Sequence, residues 1–79
     1  MKTQAEILAI LKREKTALFA QWPMTSMALF GSVARGDNRQ DSDIDLWVAM
    51  TQPMGWGYFE LVDTLEALLG SRVDLIDQS

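Results

Sequence analysis

The feature that most constrains the fold is a strand, a helix and a second strand in the second half of the chain. Residues 44–50 (IDLWVAM) form its most hydrophobic stretch and predict a buried strand, and a loop rich in glycine follows at 51–57. Apolar residues at helical spacing then predict a helix: Phe59, Val62, Leu65, Leu68 and Leu69. Gly70 is its predicted C-cap, and a short strand follows at 73–76. A helical crossover of this kind places the two strands side by side and parallel in one sheet.

The first half of the chain adds a helix and a strand that runs the other way. Thr3 and Glu6 have the spacing of a capping box, and the apolar residues behind them recur at helical intervals until Trp22, which precedes a proline. Residues 27–30 predict a short strand that ends in a helical turn. We therefore expect a single α/β (α+β) domain over residues 1–79, with a small three-stranded mixed sheet and the order α-β-α-β-α-β.

The composition excludes several kinds of site and partner. The chain has no cysteine and no histidine, which rules out disulfides, Cys/His zinc sites, Ser–His triads and cysteine nucleophiles. Seven basic residues against 11 acidic ones give a net charge of −4, which disfavours nonspecific binding to nucleic acid. The sequence shows no apolar run long enough for a membrane span and no signal peptide, so we expect no membrane association and a cytoplasmic location.

Three aspartates lie where strands begin, although aspartate is disfavoured in strands. Asp43 and Asp45 open the 44–50 strand and point to the same face, and Asp74 opens the parallel strand beside it. We expect the three carboxylates to converge and to repel one another unless a cation lies among them; oxygen-only ligands favour Mg²⁺ or Mn²⁺. Asp77 competes for the third position, but its odd spacing from Asp74 turns it to the other face. The ordinary alternative is that these residues are solvated strand ends.

Gly31 and Ser32 follow the first strand at the same edge of the sheet. Glycine lets the backbone approach a ligand closely, and the serine hydroxyl and free N–H groups of the turn form an anion site. Arg35 and Arg39 are close enough in sequence to reach phosphate oxygens. A phosphate-binding turn that faces a dicarboxylate metal site is typical of phosphoryl or nucleotidyl transfer. Taken singly, the Gly-Ser pair also fits a plain turn, and the arginines fit surface ion pairs.

The spacing of these motifs resembles that of a known enzyme family. Residues 30–36 (FGSVARG) and 41–46 (DSDIDL) match the Gly-Ser-x10-Asp-x-Asp signature of polymerase-beta-like nucleotidyltransferases. Residues 68–76 (LLGSRVDLI) are similar to the third-strand segment of the minimal nucleotidyltransferase (MNT) group. The resemblance implies the polymerase-beta-like fold and an enzyme that uses Mg²⁺ and ATP.

Within that resemblance each site residue has an expected role. Asp43 and Asp45 hold the metal that grips the triphosphate, and Asp74 completes a second metal site and helps deprotonate the acceptor hydroxyl. Gly31 and Ser32 bind the β- and γ-phosphates. These expectations concern chemistry that needs no histidine or cysteine.

The MNT group also implies a partner. Many of its members are antitoxins that inactivate a HEPN-domain toxin by moving AMP from ATP to a toxin tyrosine. We therefore expect a protein adenylyltransferase that forms a hetero-oligomer with such a toxin. Two alternatives stay open: a noncatalytic antitoxin that neutralises the toxin by binding, and a nucleotidyltransferase that acts on a small molecule.

Three aromatic residues have two interpretations each. Trp47 shares the face of Asp43 and Asp45, so it either flanks the nucleotide or packs in the core. Trp56 and Tyr58 lie in or beside the glycine-rich loop and either face a protein partner or fold back onto the core.

Overall fold

Helices and strands follow one another in the expected order. The computed structural model describes residues 2–36 and 43–78, apart from the side chain of Ser32. The elements in these ranges are the helices α1 (Gln4–Gln21), α2 (Gly31–Arg35) and α3 (Gly57–Leu69) and the strands β1 (Met24–Phe30), β2 (Ile44–Met50) and β3 (Val73–Asp77). None of the helices in the described ranges combines the length and the apolar character that crossing a membrane requires.

Helix α1 begins and ends where its sequence predicts. The Thr3 hydroxyl accepts a hydrogen bond from the Glu6 backbone N–H (3.2 Å), and the Glu6 carboxylate accepts one from the Thr3 N–H (2.9 Å), which completes the capping box. The bond from the Thr3 backbone, with a contribution from its hydroxyl, lowers the pKa of Glu6 from its ordinary value. At the other end Trp22 is extended before Pro23, and its indole Nε1 donates to the carbonyl of Gly57 (3.1 Å).

The sheet has the strand order β1-β2-β3, with β1 antiparallel and β3 parallel to β2, as expected. Strand β1 begins at Met24, three residues before the predicted start at residue 27. A register shift between Met24 and Ser26 lets Met24 pair with Met50 and become buried. The polar residues at 25–26 are therefore an irregularity inside the strand and not its boundary.

One face of the sheet packs against α1 and α3 and forms the core. Alternate β2 residues are buried there, together with side chains of both helices: Ile44, Leu46, Val48 and Met50 from β2, Ile7, Leu11 and Leu18 from α1. The buried positions of α3 are Leu61, Leu65 and Leu69, spaced four residues apart. Phe59, one of the apolar residues that predict this helix, is nevertheless 59% exposed, because the helix turns its 61-65-69 row towards the sheet. Gly70 ends α3 with a left-handed φ of 68°, as expected.

Two side chains of α3 hold strand β3 in place. The Glu66 carboxylate oxygen Oε2 accepts a hydrogen bond from the backbone N–H of Val73 (2.9 Å), and the Tyr58 hydroxyl donates one to the carbonyl of Leu75 (3.0 Å). Tyr58 is therefore folded back against the domain, the second of its two interpretations. Because Asp74 lies between Val73 and Leu75, both bonds fix the backbone on either side of this predicted site residue.

Candidate active site

Gly31 and the Asp45 carboxylate lie against each other where β1 turns into α2. Gly31 has a φ of +74°, in the left-handed region that favours glycine. A Cβ added to Gly31 would lie 3.0 Å from the Asp45 Cγ and would collide with its Oδ2. The strand register pairs Phe30 with Asp45, so β1 delivers the glycine directly to this carboxylate. The structure thus joins the Gly-Ser turn to the second aspartate of the Asp-x-Asp motif.

Asp45 and Asp74 are neighbours across the β2–β3 pair. They are partners in the parallel register, which places their backbones about 4.8 Å apart and their side chains on the same face. Asp45 is half-buried and Asp74 is exposed. The expected proximity of these two carboxylates agrees with the register, while their catalytic roles stay predictions.

The expected convergence of three carboxylates is not complete. Within residues 2–36 and 43–78, no three acidic side chains are arranged so that they could hold a metal ion together. Asp43 is exposed and lies one residue before the first β2–β3 pair, Ile44 with Val73, so the strand register does not fix its position. The chemistry of the donors still fits a hard cation such as Mg²⁺, since all three are carboxylates.

The other predicted residues lie around this pair. Asp77 faces away from Asp74 by the alternation along β3, as its odd spacing predicts, and pairs with Val48. Arg35 is exposed in the last turn of α2. Ser32 is in α2, but its side chain, like the whole of Arg39, lies outside the described part of the chain. The contacts of these two residues with phosphate stay predictions.

The anchoring of α2 was not predicted from the sequence. Gln4 Nε2, in the first turn of α1, donates a hydrogen bond to the Ala34 carbonyl (2.7 Å), and Val33 is fully buried. These contacts hold the short helix, and with it Gly31, beside the sheet. The hydrogen bond from Gln4 to Ala34 joins residues 30 positions apart, so no local sequence pattern predicts it. The apolar Val33 within a polar segment was the one indication that α2 has a buried side.

The face of the sheet opposite the helices carries two stacked aromatic rings beside the aspartates. The Phe30 and Trp47 ring centroids are 4.0 Å apart, and the ring planes are inclined by 19°. Trp47 is only half-buried, and Phe30 is 39% exposed. Trp47 is therefore not enclosed in the core. Trp56, on the loop before α3, is 84% exposed and does not fold back onto the domain.

Two cavities lie away from the predicted site. A groove of about 500 Å³ between α1 and β1 has a mainly apolar lining with Lys12 and Lys15 among its residues. A second cavity of about 600 Å³ lies beside Trp22 and Glu60. No predicted site residue lines either of them. Neither cavity is therefore part of the candidate site.

Comparison with known proteins agrees with this geometry. Residues 5–79 match the family described as polymerase beta, nucleotidyltransferase. The protein adenylyltransferase MntA of Thermococcus cleftensis is 40% identical over 80 residues, which cover 100% of this chain and 81% of the relative.

Two solved structures share the fold. One, provisionally described as a minimal nucleotidyltransferase, is 38% identical with a TM-score of 0.68 and is matched over 92% of this chain and 70% of its own. The other, a toxin-antitoxin with AMP-PNP, is 27% identical with a TM-score of 0.66, over 96% of this chain and 57% of its own. The expected polymerase-beta-like fold is thus confirmed. Since the family match covers almost the whole chain and includes both motifs of the site, this protein belongs to the polymerase beta family of nucleotidyltransferases.

Proposed function

We propose that the protein transfers AMP from ATP to a hydroxyl group of a protein partner and acts as an antitoxin. The proposed acceptor is a tyrosine of a HEPN-domain toxin with which it forms a hetero-oligomer. Two similarities support this function: one relative is named a protein adenylyltransferase, and one structural neighbour is a toxin-antitoxin with AMP-PNP, an ATP analogue.

The position of Asp45 carries the proposal. Its carboxylate lies against Gly31 on one side and beside Asp74 on the other. Because Gly31 has no side chain, the Asp45 carboxylate lies against the backbone of the turn, so a ligand bound to the carboxylate is also beside the turn. A triphosphate suits such a surface, since its anionic oxygens can take backbone donors on one side and a cation held by carboxylates on the other.

Asp45 and Asp74, which the register places side by side, would hold Mg²⁺ together with Asp43, whose position the register does not fix; Mn²⁺ suits the same oxygen donors. When bound, the cation neutralises charge on the triphosphate and on the oxygens that enter and leave at phosphorus. The half-buried position of Asp45 favours a role as the best-oriented ligand, because its contact with Gly31 restricts its side chain.

Gly31 and Ser32 bind the β- and γ-phosphates in this proposal, through backbone N–H groups and the serine hydroxyl. Arg35 and Arg39 supply charge to the same oxygens. Support comes from the close contact between Gly31 and Asp45, which places the turn within reach of any ligand on the carboxylates.

The reaction is an in-line displacement at the α-phosphorus of ATP. The acceptor oxygen forms a bond to that phosphorus, the bond from the α-phosphorus to the bridging oxygen breaks, and pyrophosphate leaves with the bonding electrons. Asp74 accepts the proton of the acceptor hydroxyl. The products are an adenylylated hydroxyl and pyrophosphate.

The exposure of the Asp43 and Asp74 side chains favours a macromolecular acceptor. The two cavities described above, which could take a small acceptor, are not lined by the predicted residues. The net charge of −4 disfavours RNA and DNA, because nucleic-acid affinity depends on basic residues that displace counterions. A protein that presents its own hydroxyl group meets both conditions.

The test is transfer of label from α-³²P-ATP with Mg²⁺ to a purified HEPN-domain partner. Asp45→Asn removes a charge and keeps the volume, and we expect it to lower transfer by at least about 100-fold, because even indirect partners of metal ligands cost 10–100-fold. Asp63→Asn, an exposed carboxylate on α3, is the matched control and should retain full transfer.

Full transfer by the Asp45→Asn variant would contradict the assigned site. Tight co-purification with the partner, without label and without dependence on Asp45, would instead support the noncatalytic antitoxin. Label that appears only in a small product would support the third alternative.

A further inference from the structure

We propose that Phe30 and Trp47 form the platform on which the base of the nucleotide stacks. This inference rests on the proposed function, because it assigns the part of ATP that the carboxylates and the Gly-Ser turn do not hold. The strand register, the ring geometry and the small size of the neighbouring side chains support it.

The strand register puts the aromatic pair and the carboxylates on one surface. Asp45 and Trp47 are two residues apart on β2, so they point to the same face and their Cα atoms are about 6.6 Å apart. Phe30 is paired with Asp45 across the antiparallel strands. On the other side Asp74 pairs with Asp45, and Ile76 with Trp47. The stacked rings therefore lie directly beside the proposed triphosphate site, within the length of one nucleotide.

The neighbours of Trp47 on β1 and β2 are small. Ala28 lies opposite it on β1, and Ala49 is the next β2 residue on the same face. Both have only a methyl side chain, and Ala28 is exposed. Small residues on two sides of a half-buried indole leave space for a flat ligand, whereas the core on the other face is filled by branched aliphatic residues.

The stacked pair also presents the indole in a fixed orientation. The centroid distance of 4.0 Å between Phe30 and Trp47 is a close ring contact, so Phe30 restricts rotation of the Trp47 side chain. A ring held in advance binds a base without the cost of ordering it. Aromatic stacking does not recognise the edges of a base, so this platform adds affinity for nucleotides and discriminates little between them.

The experiment compares two ligands by calorimetry with Mg²⁺: ATP, and inorganic triphosphate, which lacks the base and the ribose. We expect Trp47→Leu to weaken ATP binding about 5- to 150-fold, the range found when one base-stacking ring is removed. Affinity for triphosphate should be unchanged. Trp47→Phe keeps an aromatic ring and should recover most of the loss. Trp56→Leu, which removes an exposed indole from a distant loop, is the matched control and should bind both ligands as the unaltered protein does.

The outcomes separate this inference from the function on which it rests. If ATP binds in an Asp45-dependent manner and Trp47→Leu binds it equally well, the platform is refuted and the proposed function stands. An equal loss of ATP and triphosphate binding in Trp47→Leu also refutes the platform, because it shows a general structural effect. If the unaltered protein binds neither ligand, the proposed function fails, and the platform fails with it.

Discussion

Replacing Gly31 by alanine tests the contact that assembles the candidate site. Gly31 has a φ of +74°, and an alanine in the left-handed region costs about 1–2 kcal/mol. The new Cβ would also displace the Asp45 carboxylate, and forcing that side chain from its rotamer adds about 0.5–1.5 kcal/mol. Gly36 provides a matched control: its φ is +77°, but among the described residues an added Cβ would meet only the Gln4 side chain, at 4.0 Å. Gly36→Ala should therefore show the backbone cost alone.

Thermal unfolding followed by circular dichroism gives the comparison. In a domain of this size each 1 kcal/mol lowers Tm by roughly 4–8 °C, so Gly31→Ala should melt at least about 2 °C below Gly36→Ala. Gly31→Ala should also lose affinity for ATP with Mg²⁺, while Gly36→Ala retains it. Equal losses of stability in the two variants, with equal nucleotide affinity, would refute the claim that Asp45 and Gly31 form one unit.

Two further predictions concern hydrogen bonds that set backbone positions. Glu66→Ala leaves the N–H of Val73 without its acceptor and should lower the free energy of unfolding by about 1–3 kcal/mol, with faster amide exchange at Val73. Glu66→Gln keeps an acceptor oxygen and should restore most of the loss. Equal behaviour of both variants would argue against the bond. The hydrogen bond from Thr3 lowers the pKa of Glu6 in the folded state, so its contribution to stability is present above the unfolded pKa and is lost as the pH falls through the folded value. Urea unfolding of the unaltered protein and of Glu6→Gln should therefore differ most near neutral pH and converge in acid; a constant difference across this range would contradict the linkage.

Local chemistry explains which parts of the fold could be predicted. The capping box of Thr3 and Glu6 and the C-cap at Gly70 act over a few residues, and the structure has both where the sequence places them. The direction of β3 followed from the helical crossover, which restricts the connection to a parallel pair. The predicted start of β1 was wrong because tertiary packing decides it: a register shift lets Met24 pair with Met50 and become buried.

The placement of several candidate residues could be predicted from the sequence, and their contacts could not. Alternation along a strand put Asp45 and Trp47 on one face, and the parallel register put Asp74 beside Asp45. The direct contact of Gly31 with Asp45 depends on the β1–β2 register, which no local sequence pattern predicts. The same register produces the stacking of Phe30 on Trp47, which connects residues 17 positions apart in the chain.

The bonds from α3 to β3 also protect a sheet edge. β3 is an outer strand, and the backbone groups of an outer strand can pair with another chain and start aggregation. The Val73 N–H and the Leu75 carbonyl point away from β2, and the side chains of Glu66 and Tyr58 already occupy them. An incoming strand would have to displace both bonds before it could extend the sheet. Two outward backbone groups of the strand that carries Asp74 are therefore protected from edge-to-edge association, while its exposed face remains open.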